Sequence, residues 1–165
     1  MAWANSGLYP ATLNQILSAG ANAPSLTVTT NKFFLTSNSD STLYAAALGA
    51  TGNIYAGTYE ITGTGWAAGG PLLSAAYNGG AMTPSLTVSG TSPVLLVWSM
   101  ANPLSVTGTT LTGAYGGYFY QPLASYQYKI VGIYFGGSAY STVAGTFAIT
   151  WSSGQVFTIN CAANT

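Results

Sequence analysis

Histidine is absent from this chain, its only acids are Asp40 and Glu60, its only bases are Lys32 and Lys129, and Cys161 is its one cysteine. That inventory decides most of the chemistry open to the protein. Without histidine the commonest general base is missing, and every Ser-His-Asp or Cys-His nucleophilic arrangement goes with it. Metal sites of the usual kinds need clustered His, Cys, Asp or Glu, and one cysteine with two separated acids offers no cluster. Neither a metal nor a cofactor is expected. One enzyme class survives: a glycosidase needs two carboxylates facing a sugar, and Asp40 with Glu60 is the single available pair. No arginine or histidine is present to tune either acid, so the expectation is a non-enzymatic protein.

Glu60 stands in TYEITGTGWAAGGPLL, residues 58–73. The stretch reads as a structural corner. Gly63, Gly65, Gly69 and Gly70 let the backbone take positive φ or pass close to another strand, and Trp66 supplies one large anchor among them. Glu60 is then a strand residue that accepts hydrogen bonds from nearby backbone or pairs with Lys32 or Lys129. A phosphate loop would need a GK[ST] ending or a following helix, and Pro71-Leu72-Leu73 supplies neither.

The elements that must position this corner are strands. The 165 residues fit one ordinary domain, 1–165, with 1–25 as an N-terminal arm or short helix. In YPATLNQILSAG, 9–20, Pro10 suits a first helical turn, Leu13, Ile16 and Leu17 share a face, and Gly20 marks the end. Beyond it, runs rich in Thr, Val, Ile, Tyr and Phe alternate with Gly, Pro, Asn and Ser, which predicts strands at 26–30, 32–36, 58–62, 72–76, 85–89, 94–99, 109–120, 128–135, 145–151 and 154–159. PVLLVWS, 93–99, reads as a central strand buried on both sides. In GTFAITW, Phe147, Ile149 and Trp151 alternate with small or hydroxylated residues, and QVFTIN continues the alternation after Ser-Ser-Gly, predicting a hairpin. The segment 37–57 lacks periodicity and reads as a long loop. PSLTV occurs at 24–28 and 84–88 without matching flanks, so the repetition is read as coincidence between two strands.

Charged residues make up 2% of the chain against roughly 25% in an average soluble protein, so the surface must be neutral and rich in hydroxyls. Near-zero net charge favours association over repulsion. It also removes the basic footprint that nucleic-acid binding requires. No stretch approaches the apolar length of a membrane helix, MAWANSGLYP has no basic and apolar signal-peptide pattern, and a lone cysteine gives no support to an oxidising compartment. Cys161 reads as a small residue near a C-terminal strand. Twelve tyrosines and four tryptophans are available as core, as interface or as sugar-stacking platforms. GAYGGYFYQ, 113–121, reads as an alternating strand whose glycines give tyrosines room to pack, while tyrosine is also a common interface anchor.

Several blocks carry a family likeness. WANSGLY near the start, GTYEITGTGWAAGG, VLLVWS and IYFGGSAYSTVAGTFAITWSSGQVFTI together resemble a family of small virion proteins of tailed bacteriophages, especially those infecting actinobacteria. The resemblance covers nearly the whole chain and is most specific at 59–70 and 133–159. Trp66 stands where the family commonly has Tyr, and the acidic segments and the arginine of the family's central aromatic strand are absent.

The resemblance implies an all-β fold, an antiparallel β-sandwich of jelly-roll-like type with a short N-terminal helix or arm. It also implies a structural role: a capsid decoration protein made in the host cytoplasm without export, placed on the outer capsid surface, and clamping the major capsid protein shell. A homo-oligomer is expected, a trimer by analogy with shell proteins on local threefold positions. Segments 1–9, 37–57 and 113–121 are the candidate interface, with Trp3, Leu8, Tyr9, Tyr44, Tyr55, Tyr115, Tyr118 and Tyr120 as its anchors. The alternative is a minor tail protein or a tail-borne carbohydrate- or receptor-binding module whose exposed Tyr and Trp stack on cell-wall glycans.

Overall fold

The computed structural model of the chain describes residues 6–21, 23–39, 54–74, 80–91, 93–123 and 127–161. It is built mostly of β-strands in antiparallel sheets, with one short α-helix and, among the described residues, no closed barrel. The strands are β1 (Gly7–Leu8), β2 (Lys32–Thr36), β3 (Glu60–Ile61), β4 (Pro84–Ser89), β5 (Leu95–Met100), β6 (Leu104–Ala114), β7 (Gly116–Tyr120), β8 (Lys129–Tyr134), β9 (Tyr140–Ile149) and β10 (Gln155–Asn160), and the helix α1 is Pro10–Leu17. They form a five-stranded sheet in the order β1-β8-β7-β2-β3, a three-stranded sheet β10-β5-β4 and a two-stranded ribbon β6-β9.

The five-stranded sheet carries large aromatic or aliphatic side chains in both alternating residue sets of its central strands, with Lys32, Thr36 and Lys129 in the second set. Phe33 lies opposite Phe119, and Phe119 opposite Val131, on one face; Phe34 lies opposite Tyr118 on the other. The first face joins the main core, where Phe33, Leu35 and Phe119 meet Trp98 and Met100 of the three-stranded sheet and Leu104, Leu111 and Phe147 of the ribbon. The rings of Phe119 and Trp98 meet edge to face at 5.1 Å, so this contact seams two sheets together. The second face gathers Tyr9, Phe34, Tyr118 and Tyr120 into a separate aromatic cluster.

Helix α1 starts at Pro10, whose missing amide costs nothing at a first helical position. It is tied down by the hydroxyl of buried Thr12, which donates to the Lys129 carbonyl at 2.6 Å. Its apolar side is less buried than its spacing predicts: Leu13 and Ile16 are half-buried, and Leu17 is 76% exposed.

Three expectations give way to the observed pairing. The predicted terminal hairpin does not form. After β9 the chain passes through a 3-10 turn, Ser152–Gly154, with Ser153 at φ 51°, and β10 then pairs with β5 while β9 pairs with β6. The predicted strand 109–120 is two strands in different sheets, because the chain changes partner at Tyr115. Residues 26–30 form no strand, and 72–74 contribute one isolated bridge, Leu72 to Lys32. Of the long loop expected over 37–57, residues 40–53 lie outside the described residues.

Candidate functional site

The corner at 57–73 holds Glu60 among the glycines Gly57, Gly63, Gly65, Gly69 and Gly70. Glu60 lies on β3 opposite Thr36 of β2. Its carboxylate is held by two donors: the Tyr55 hydroxyl to Oε2 at 2.7 Å and the Gly69 amide to Oε1 at 2.6 Å. Of the two alternatives expected from sequence, lysine pairing and local backbone bonding, the second is observed, through the Gly69 amide, together with the Tyr55 phenol.

Gly69 is the hub of this arrangement. Its carbonyl accepts from the Tyr120 hydroxyl at 2.9 Å while its amide serves Glu60, and it stands at φ 81°, where a side chain would be strained. The Tyr55 and Tyr120 rings stack at 4.6 Å. Burial pushes both phenols above their ordinary range, Tyr120 to about 12, with the nearby Glu60 charge adding to the effect. For Tyr55 the hydrogen bond to Glu60 is a further cause. Both phenols are therefore neutral donors across the physiological range, and the carboxylate is their complement.

The remaining corner residues are architectural. Gly63 and Trp66 exchange two backbone hydrogen bonds at 3.0 Å, closing a tight loop against β6, where the Thr110 amide donates to the Thr64 carbonyl at 3.1 Å. A Cβ on Gly63 would overlap the Thr110 carbonyl, so close approach rather than positive φ requires glycine there. Gly65 and Gly70 lie at φ 73° and 67°. The Trp66 indole is 1% exposed and meets the Phe147 ring edge to face at 5.3 Å, pinning the corner to the ribbon. Its Nε1 is buried and has no hydrogen-bond partner. A surface groove of about 460 Å³ passes Lys32, Trp66, Gly70 and Leu72.

The tyrosines proposed as interface anchors divide. Tyr9, Tyr118 and Tyr120 are fully or almost fully buried in the aromatic cluster, so they cannot offer area to a partner from this fold. The reason is the two-sided five-stranded sheet: its outer aromatic face is covered by the chain itself. Lys129 is buried with them, its Nζ 4.4 Å from the Tyr118 ring centre and within 6.0 Å of Tyr9 and Phe34, a cation held against aromatic faces. Leu8, Tyr55 and Tyr115 are half-buried. Trp3, Tyr44 and Asp40 lie outside the described residues, so the juxtaposition of Asp40 with Glu60 that a glycosidase would need is not on view.

Among the described residues the large exposed apolar side chains are others: Leu17, Tyr59, Leu72, Leu86, Val88, Tyr140 and Val143. For Leu86, Val88, Tyr140 and Val143 this depends on which strands become sheet edges, and no local pattern encodes that. Cys161 is exposed and free. Among the described residues no group of three His, Cys, Asp or Glu could hold a metal ion, and no helix is long and apolar enough to cross a membrane.

Comparison of the chain with protein-family models, curated proteins and solved structures finds no match.

Proposed function

We propose that this chain is a non-enzymatic structural protein of a tailed-phage virion, a capsid decoration protein that binds the major capsid shell from outside and stabilises it. The observation that carries this reading is the fate of Glu60. In the block that most resembles the virion family, the carboxylate is spent on holding Tyr55 and Gly69, which is a structural use of a rare charge. The outward strand residues are then mainly Ser, Thr, Gly and aliphatic side chains, as in β4 and β9. Such surfaces suit repeated copies packed through hydroxyls and small apolar contacts. In this reading the three antiparallel sheets are parts of a jelly-roll-like sandwich, and the cluster around Phe119 and Trp98 is its interior. Separating heads from tails of the encoding phage and quantifying this chain in each fraction tests the placement: enrichment in heads supports decoration, and its confinement to tails overturns it.

A tail-borne glycan-binding module is the second reading, favoured by the partly exposed rings of Tyr59 and Tyr140. Saturable binding to host cell wall that Tyr59→Ala or Tyr140→Ala abolishes would establish it over decoration.

A further inference from the structure

We infer that β4 is a self-association edge, which pairs antiparallel with β4 of a second copy about a two-fold axis through Thr87. The inference concerns that edge alone and holds for either placement on the virion.

A free sheet edge presents unpaired amides and carbonyls to any passing strand, and proteins blunt such edges by shortness, bulges, proline or charge. The edges of this fold differ in these respects. In the five-stranded sheet the edge strands β1 and β3 have two residues each. In the ribbon, the pairing of β6 with β9 shifts register at three places, and β10 carries a shift between Gln155 and Phe157. The remaining edge is β4. It runs in unbroken register with β5 from Pro84 opposite Met100 to Ser89 opposite Leu95, and residues 85–89 are all exposed. Its far side has no strand partner among the described residues. No charged residue occurs between Glu60 and Lys129, so the edge carries no electrostatic gatekeeper.

The occupant follows from symmetry and charge. Pro84 and Gly90 bracket Ser-Leu-Thr-Val-Ser, a pattern that is nearly its own mirror about Thr87. Antiparallel self-pairing there sets Leu86 opposite Val88, Val88 opposite Leu86, and Ser85 opposite Ser89. Apolar side chains then meet apolar ones on one face and hydroxyls meet hydroxyls on the other. A two-fold axis sets Thr87 opposite its own equivalent, where a charged residue would repel its copy; a neutral one does not. Val88, 73% exposed, lies on the same face as Leu86, Leu96 and Ile159, which line a nearly apolar cleft of about 300 Å³ under α1. The exposed Leu17 lies on the wall of that cleft. A second copy seated on β4 therefore extends a continuous apolar face into a six-stranded sheet, and it gives a two-fold pair rather than the trimer expected by analogy.

Light scattering on the full chain across a concentration series tests this, together with two variants. The wild type is expected to be a dimer. Val88→Lys, at a largely exposed site, introduces a charge at two symmetry-related places and should weaken the dimer by about tenfold or more with unchanged circular dichroism. In a Cys161→Ser background, Thr87→Cys should form a disulfide-linked dimer on mild oxidation, because opposed residues of an antiparallel pair lie within disulfide reach; Ser152→Cys, exposed but away from the edge, should not. A monomeric or trimeric wild type, a Val88→Lys dimer of unchanged affinity, or Thr87→Cys cross-linking no better than Ser152→Cys would each overturn the inference.

Discussion

Glu60 and Gly69 are joined by a 2.6 Å hydrogen bond from the glycine amide to Oε1, and that bond fixes both ends of the glycine-rich corner. Its partner bond from Tyr55 carries the same carboxylate into the aromatic cluster. Substitution of Glu60 by Gln keeps the shape but replaces one acceptor oxygen by a donor, leaving a donor facing either the Tyr55 hydroxyl or the Gly69 amide. The loss expected is about 1–3 kcal/mol, measured by urea unfolding. Unchanged stability would show that the carboxylate is not what holds the corner.

Alkaline pH should dissolve the same cluster. The Tyr120 and Tyr55 phenols have folded-state values above the ordinary phenol value of 10, with Tyr120 at about 12. Above pH ~10 the unfolded chain gives up protons that the folded chain retains. Their contribution to stability is therefore complete below pH ~10 and is lost as pH rises toward the folded values. Ultraviolet titration of tyrosinate should show late-titrating phenols, and Glu60→Gln should bring Tyr120 downward. Loss of one of the late-titrating phenols in Tyr120→Phe would assign it.

Trp66 anchors the corner through packing, since its ring is buried against Phe147 while its Nε1 has no partner. Trp66→Ala should cost about 3–5 kcal/mol in chemical denaturation. Trp66→Phe should cost less, because it keeps a ring in the cavity and removes a buried donor that is not hydrogen-bonded. A folded Trp66→Ala protein of undiminished stability would refute the anchor.

Gly70 is held at φ 67°, and a Cβ added there would overlap the Phe33 carbonyl, so Gly70→Ala meets both backbone strain and a clash with β2. Its destabilisation should exceed about 1 kcal/mol. Gly108→Ala is a useful contrast: its φ is likewise 67°, but an added Cβ meets nothing within 4 Å, so the difference between the variants isolates the clash.

The sequence reveals periodicity well and partners poorly. The strand at 32–36 is observed at those residues, and the run PVLLVWS yields a middle strand over Leu95–Met100, in which Val97 and Trp98 are buried while Leu95, Leu96 and Ser99 are half-buried. The GTGWAAGG corner is legible too, since glycine spacing and a lone tryptophan encode local geometry. Pairing is long-range and leaves weaker marks. PSLTV forms a strand at 84–88 and none at 24–28, where Leu26 is buried and its carbonyl instead accepts from the Trp98 indole at 2.8 Å. The same five residues thus take two backbone courses according to what surrounds them. Tyr118 and Tyr120 pack inside as the alternating, glycine-spaced reading of 113–121 expects; their selection with Tyr9 as interface anchors fails because nothing local announces that this face of the sheet is covered.

Cryo-electron microscopy of intact virus particles that contain this chain tests the proposed virion role most directly. The decoration reading predicts density for this chain repeated over the icosahedral shell, outside the major capsid protein, in many copies. A shell bare of it, with the chain present only in the tail, would contradict that reading.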